Sequence, residues 1–519
     1  MKQKTKKILK ISMAALFGII MVASSTAALF PIGGNKQQNE QNKPGLTITG
    51  TPADNYPDDK RTTFCESGGA KSSRYVTEFK ITTACTQPLA ITIDSSGIVW
   101  FTESNTGNIG KFDSSTETFE EFKNPQWQKG EKSMMWGIDF AADGNLWFSD
   151  SQHSLIWKFN PQQKDYSSFV FPKTAGQDVF PQMLVTDGSN ILVNDFTGRK
   201  IAVFGTDQTG PSLQTTKIPS PGNYNFTSTM VADANGKIWY TVWIYQQGGS
   251  LVSYDPKTGN STEFTLPPGI DAPNGISVDS SGKIWITDTA SNFFLNFDPQ
   301  SKQFSKFVTS PPPASTYGNS SGLIKTPISR PYWNHFDDKG RLWINEQVAN
   351  SLGVFDPTKE SLVEYLVPSK NPNWSDCGTL QDCGVAQILD FTVDHDKVWF
   401  TEWVENNIGL LDPSASLPFD ISTSSSSITL HRGQNATILL TLTPNEQLSS
   451  TVDILTTHTA GLHNISVTSS DHEITLDKPK SININIAADN FALSDSYKVL
   501  VSIRYQDVTI SKFVTVTIM

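Results

Sequence analysis

One phrase occurs seven times along the chain: ITIDSSGIVWFTES (91–104), DFAADGNLWFSDS (139–151), LVTDGSNILVNDF (184–196), MVADANGKIWYTV (230–242), ISVDSSGKIWITDT (276–289), HFDDKGRLWINEQ (335–347) and FTVDHDKVWFTEW (391–403). Its anchor falls at Trp100, Trp147, Leu192, Trp239, Trp285, Trp343 and Trp399. Each copy reads as a strand, an Asp/Gly turn and a second strand. A third strand follows (NIGKFD, LIWKFN, SLGVFD, NIGLLD), usually ended by a Pro step that stops a β-ladder. A fourth follows as TFEEF, DYSSF, QFSKF or LVEYL. A repeat of short strands with a period near 47 residues cannot bury its apolar faces one unit at a time, and it predicts the blades of a β-propeller. The composition agrees: 35 Gly, 29 Pro, 13 Trp and 30 Phe in 519 residues suit strands and turns rather than a helical bundle or a disordered chain.

The seventh copy has no fourth strand after Asp412, and the missing phrase stands before the first copy as Tyr75-Val76-Thr77-Glu78-Phe79. The expected fold is therefore all-β: a seven-bladed β-propeller at 73–416, closed by an N-terminal strand that removes two open sheet edges. After Pro413 the Trp phrase stops, and β-branched residues alternate with polar ones to the C-terminus, which predicts an immunoglobulin-like β-sandwich at 417–519. Five Lys in the first ten residues precede an apolar run from Ile11 to Phe30, so 1–32 reads as a signal peptide or an N-terminal membrane anchor. The polar stretch 33–72 reads as a flexible linker. Four Cys in an exported chain predict disulfides; three pairings are possible, and the short loop favours Cys377 with Cys383. The location expected is extracellular or at the cell surface, with membrane contact only through the N-terminal segment, and the chain is expected to be monomeric. A net charge of −11 disfavours a nucleic-acid partner.

Chain direction places the loop leading into each blade and the last residue of its second strand at one mouth. Those last residues are Glu103, Asp150, Asp195, Val242, Asp288, Glu346 and Glu402. A ring of carboxylates around a channel can hold a hard cation, Mg2+ or Ca2+, with Glu402, Glu346, Glu103 and Asp288 as ligands; the alternative is that each carboxylate caps its own turn. Glu402 and His153, three residues after Asp150, are the candidate acid–base residues. His335, inside an inner strand, reads as a satisfied structural imidazole. The two longest loops at that mouth carry Tyr332, Trp333 and Trp374, candidate stacking surfaces for a small molecule, peptide or glycan.

The phrase D-x-x-G-x-(I/L/V)-W-F-T-E followed by N-x-I-G, seen in WFTESNTGNIGKFD and WFTEWVENNIGLLD, resembles the virginiamycin B lyase (streptogramin lyase) family over 73–416. The resemblance implies a seven-bladed propeller that opens a cyclic depsipeptide by magnesium-assisted elimination, with a His at a blade entrance and a Glu ending a second strand. Glu402 matches the Glu. The His position corresponds to Leu89, Trp136, Ser228, Asn274, Tyr332 or Leu389, and none of these is His. Pro273-Asn274-Gly275 with Asp288 resembles more distantly a metal-binding blade of calcium-dependent gluconolactonase-type propellers, which implies a lactonase-like hydrolase. Against both enzymes stands a non-catalytic surface binding or adhesion protein, which better suits an anchor, a spacer and a sandwich.

Overall fold

The computed structural model describes residues 65–519 except 129, 132, 174–178, 245–246, 319–327, 376, 378 and 462–463. The signal peptide or anchor and most of the predicted linker lie outside the described residues. Among the described residues, no helix is long and apolar enough to cross a membrane.

The protein is all-β, and each Trp phrase forms the first two strands of a four-stranded antiparallel sheet. Sheets one to seven, in chain order, begin with the inner strands Pro88–Ile93, Ile138–Phe140, Pro181–Asp187, Phe226–Ala232, Pro273–Val278, Pro331–Phe336 and Ile388–Asp394. The outer strand of sheet seven is Val76–Lys80, paired antiparallel with Asn407–Leu411 (Val76 opposite Leu411, Lys80 opposite Asn407).

Two side-chain devices in the phrase explain why it repeats. The first lies in the turn: Asp94, Asp233, Asp279 and Asp337 each accept the indole N–H of the Trp six residues on, at 2.9, 2.9, 2.9 and 3.0 Å, while the other carboxylate oxygen caps backbone N–H groups. A buried indole needs an acceptor, and this Asp supplies it while fixing the turn. The second lies in the second strand, at the Thr of Trp-Phe-Thr-Glu. Thr102 donates to Met135 O, Ser149 to Gln182 O, Asn194 to Thr227 O, Thr241 to Pro273 O, Thr287 to Tyr332 O, Asn345 to Ile388 O, and Thr401 to Leu89 O. Each bond, between 2.5 and 3.1 Å, ties one sheet to the inner strand of the next, and the last returns to the first. All seven donors are buried, so each bond satisfies a carbonyl that water cannot reach.

The C-terminal residues form two sheets. One contains Phe419–Thr423, Asn435–Pro444, Lys480–Ala488 and Ile465–Ser469. The other is continuous with sheet six, because Val508–Ile518 pairs with the outer strand Ser361–Leu366 (Ser361 opposite Lys512, Tyr365 opposite Val508). The sequence predicts an immunoglobulin-like sandwich at 417–519, and in the structure a strand of this C-terminal unit is hydrogen-bonded to the propeller edge. Phe513, 2% exposed, seals the seam against Phe294, Phe307 and Phe355.

The linker reading is corrected at its end. Cys65, fully buried, pairs with Cys85, and Ser67 and Gly68 bond to the Glu405 carboxylate. The second disulfide is Cys377–Cys383, the pair favoured by loop length.

Candidate functional site

The loop-side mouth was expected to gather carboxylates, and the structure keeps them apart, each folded into its own sheet. Glu103 accepts from Thr106 Oγ1 at 2.6 Å and Asn108 Nδ2 at 3.1 Å. Asp288 accepts the Ala272 N–H at 2.6 Å and the Ser291 hydroxyl at 2.6 Å. Glu402 accepts from Asn407 Nδ2 at 2.7 Å. All three, and Glu346, are completely buried. Among the described residues, no three His, Cys, Asp or Glu side chains stand close enough to share a metal ion. The set Glu402, Glu346, Glu103 and Asp288 therefore does not fit one Mg2+ or Ca2+, because side chains turned into separate turns cannot converge over the channel.

Burial without countercharge alters these acids. It pushes Glu103 up to about 8 and Asp288 to about 6. Glu402 and Glu346 are raised well above the ordinary carboxyl range, first by burial and then by a second carboxylate from the outer strand of the same sheet: Glu78 beside Glu402, Glu364 beside Glu346. Glu78 itself accepts the Lys71 N–H at 2.7 Å and the Ser369 N–H at 2.9 Å. The N-terminal strand thus brings into sheet seven the carboxylate that, after burial, raises the Glu402 pKa.

His153 sits at this mouth and is oriented by Asp150, Nδ1 to Oδ2 at 2.9 Å; Asp150 is held in turn by Ser133 and by the Trp157 indole at 3.0 Å. The bond to Asp150 raises the imidazole's pKa, which favours the charged form over a free base.

The aromatic candidates are corrected too. Tyr332 and Trp333 are each 2% exposed, and Tyr332 lies 6.0 Å from Trp136, which reaches in from the opposite side of the channel. Together with Leu89 and Leu389 they close the channel below the loop-side mouth. Trp374 is half-buried against the Cys65–Cys85 disulfide and Trp403, 5.7 Å away. Aromatics on long loops read as exposed platforms in a sequence, but ring area without polar competition is drawn into the nearest apolar gap, here the channel itself.

Past this plug, on the turn side, the inner strands of all seven sheets surround a cavity of about 290 Å³. Its walls mix apolar side chains, including Ile91, Ile138, Leu184, Met230, Ile276 and Phe391, with polar ones, among them Asp139, Asn334, His335 and Asp390. His335 faces the cavity with its ring edge-on to Phe391 at 5.0 Å, so it is not the packed structural imidazole expected from its strand. No sequence pattern announces this site, because its residues are one or two per inner strand, drawn from copies 45 to 58 residues apart.

Residues 66–294 match the Virginiamycin B lyase family. Virginiamycin B lyase from Staphylococcus aureus superposes with a TM-score of 0.51 at 19% identity, covering 65% of this chain and 98% of that one. A streptogramin B lyase gives 0.51 at 21% identity, over 65% and 97%. A catalytically inactive S. aureus virginiamycin B lyase, determined with quinupristin, gives 0.51 at 18%, over 65% and 98%. At these identities the structural likeness is one of fold. No curated protein matches the sequence. The repeat, the sheet order and the profile match agree: over residues 66–294 the chain is similar to the Virginiamycin B lyase family, and its fold is that of a virginiamycin B lyase-like β-propeller.

Proposed function

We propose that this chain is an exported, non-catalytic binding protein on a lyase-like scaffold. In this reading seven blades, closed by the N-terminal strand, carry an immunoglobulin-like sandwich as a rigid outrigger, and the N-terminal segment exports or anchors the whole. The observation that carries the reading is the layer of Leu89, Trp136, Tyr332 and Leu389. They occupy four of the six positions where the family resemblance requires an imidazole and lie in one buried apolar cluster, while the other two, Ser228 and Asn274, are buried as well. An elimination base needs both a basic proton acceptor and room for a substrate beside it; none of the six positions is an imidazole, and all six are buried. Glu402, the match to the family's Glu, is buried and raised in pKa by burial and Glu78. The ligand class proposed is a small molecule, peptide or glycan.

Quinupristin, the streptogramin found with the inactive S. aureus relative, tests the reading. Incubation of the purified chain with quinupristin and Mg2+, beside an active lyase as control, is expected to leave the antibiotic intact. A ring-opened product of unchanged mass would overturn the proposal, since elimination adds no water. Export is tested separately by the mass of the native N-terminus and by thiol labelling without reductant, which is expected to modify none of the four Cys.

A further inference from the structure

The turn-side cavity has a chemistry of its own. Asp139 and Asp390 enter it from sheets two and seven, and no Lys or Arg is among its lining residues. Both carboxylates are aimed by neighbouring sheets. Asp390 Oδ2 takes the Ile91 N–H at 3.0 Å, and Asp139 Oδ2 takes the Thr186 hydroxyl at 2.6 Å and N–H at 3.2 Å. Between them runs the inner strand of sheet one, which presents Ile91 and Thr92. The rest of the wall mixes aliphatic and aromatic side chains with Thr, Ser, Asn334 and His335, and Trp333, which lines the cavity, keeps its buried indole N–H without an acceptor.

We propose that this cavity binds a small organic cation, an ammonium group on an apolar or aryl body. Neither carboxylate has a Lys or Arg beside it in the cavity wall, and the one imidazole there, His335, has its pKa lowered to about 4, so a cationic guest supplies the countercharge. The missing charge shows in their acidity: burial raises Asp139, and it pushes Asp390 up to about 8. The ring faces of Trp333 and Phe391 add cation–π attraction, and the aliphatic wall takes the apolar body. A metal ion suits the site less well, since Asp139 and Asp390 are separated by a whole inner strand and, among the described residues, no third His, Cys, Asp or Glu joins them. The site lies beyond the plug from the mouth where the family resemblance places catalysis. It gives the binding reading a ligand class without depending on it, and a chain that opened quinupristin could still bind a cation here.

The test uses the full chain with benzylamine and benzyltrimethylammonium as probes, and benzyl alcohol and benzoate as neutral and anionic controls. Calorimetry is expected to show one saturable site for at least one cation, at least tenfold tighter than benzyl alcohol, and no binding of benzoate. Asp390→Asn and Asp139→Asn are each expected to weaken it tenfold or more; Asn keeps a carbonyl oxygen for the Ile91 or Thr186 N–H, and a thermal melt checks that each variant is folded. A measurement on the unaltered chain guards against misfolded variants: with ¹³C-methyl methionine, Met183 and Met230, both in the cavity wall, are expected to shift on adding the cation while Met519 stays still. No saturable binding of either cation, equal binding of benzyl alcohol, or Met183 and Met230 signals that ignore the cation would overturn the proposal, whatever quinupristin does.

Discussion

At the residue scale, the repeat is held by pairs that the pattern makes testable one at a time. Asp279 accepts the Trp285 indole at 2.9 Å and caps two N–H groups of its turn, so Asp279→Ala is expected to cost about 1–3 kcal/mol in denaturant unfolding. Sheet two supplies the reverse experiment. Ala141 stands where four of the other copies have this Asp, and the Trp147 indole N–H is buried without an acceptor. Ala141→Asp is expected to raise the melting temperature, and a fall would show that the vacancy is filled some other way. The buried acids make a second prediction, about pH. A carboxyl whose pKa is higher folded than unfolded contributes stability at low pH and loses it as pH rises through the folded value. Glu103 moves from 4.5 to about 8, and Glu402 and Glu346 rise in the same direction, so the protein is expected to lose stability between about pH 4.5 and 8. Glu402→Gln imitates the protonated acid: its amide can donate toward Glu78 and still accept from Asn407. That variant is expected to flatten the decline and to be more stable than the parent at pH 8, by about 1 kcal/mol or more. Millimolar Mg2+ or Ca2+ is expected to leave the melting temperature of both unchanged, and a metal-dependent rise lost in Glu402→Gln would restore the carboxylate ring as a cation site.

At the element scale, the strand Val76–Lys80 does more than cover an edge. It completes sheet seven, packs Phe79 against Phe112 and Trp399, and brings Glu78 to Glu402. A chain starting at residue 82 is therefore expected to melt well below one starting at 65, or to self-associate through the open edge of Asn407–Leu411. Equal melting and equal gel-filtration volumes for the two would mean that the strand is dispensable. This closure was legible in the sequence because repeats can be counted, and a count that comes out one strand short at Asp412 and one long at Tyr75 has one economical solution. The turns and Trp anchors were legible for the same reason. The fusion of Val508–Ile518 to sheet six was not, because the side chains of Ser361–Leu366 point to the two faces of the sheet and carry no mark of whether its edge meets water or another strand. The site was legible only as a choice between a carboxylate ring and capped turns. Which prevails depends on whether Asn407, Thr106 or Ser291 reaches the acid first, and that is a matter of distance. The plug escaped notice because Trp136 and Tyr332 meet across the channel from positions almost two hundred residues apart, a contact that no local pattern encodes.

At the scale of the whole molecule, the C-terminal unit is part of the propeller's outer wall rather than a passenger. It continues sheet six by five residue pairs, inserts Phe513 among Phe294, Phe307 and Phe355, and places Arg504 near the Glu346–Glu364 pair while its guanidinium donates to Pro311 O. Lys498 adds an ion pair to Glu360 across the same seam. Removing 417–519 uncovers a strand edge and three aromatic rings at once, and strips a nearby positive charge from two buried carboxyls. Calorimetry of the full chain is accordingly expected to give one cooperative transition, whereas the 65–416 fragment is expected to melt lower and to aggregate. The seam can also be weakened without truncation. Phe513→Ala removes a buried ring from a packed cluster, a change that costs about 3–5 kcal/mol where the surroundings cannot collapse, and it is expected to split the single transition into two. If the full chain instead melts in two steps from the outset, and Phe513→Ala moves only the C-terminal one, the two units are merely adjacent. A cooperative seam would mean that any load on the C-terminal sheets reaches the ring of seven stitches through sheet six, since Asn345 in that sheet is the donor that holds sheet seven.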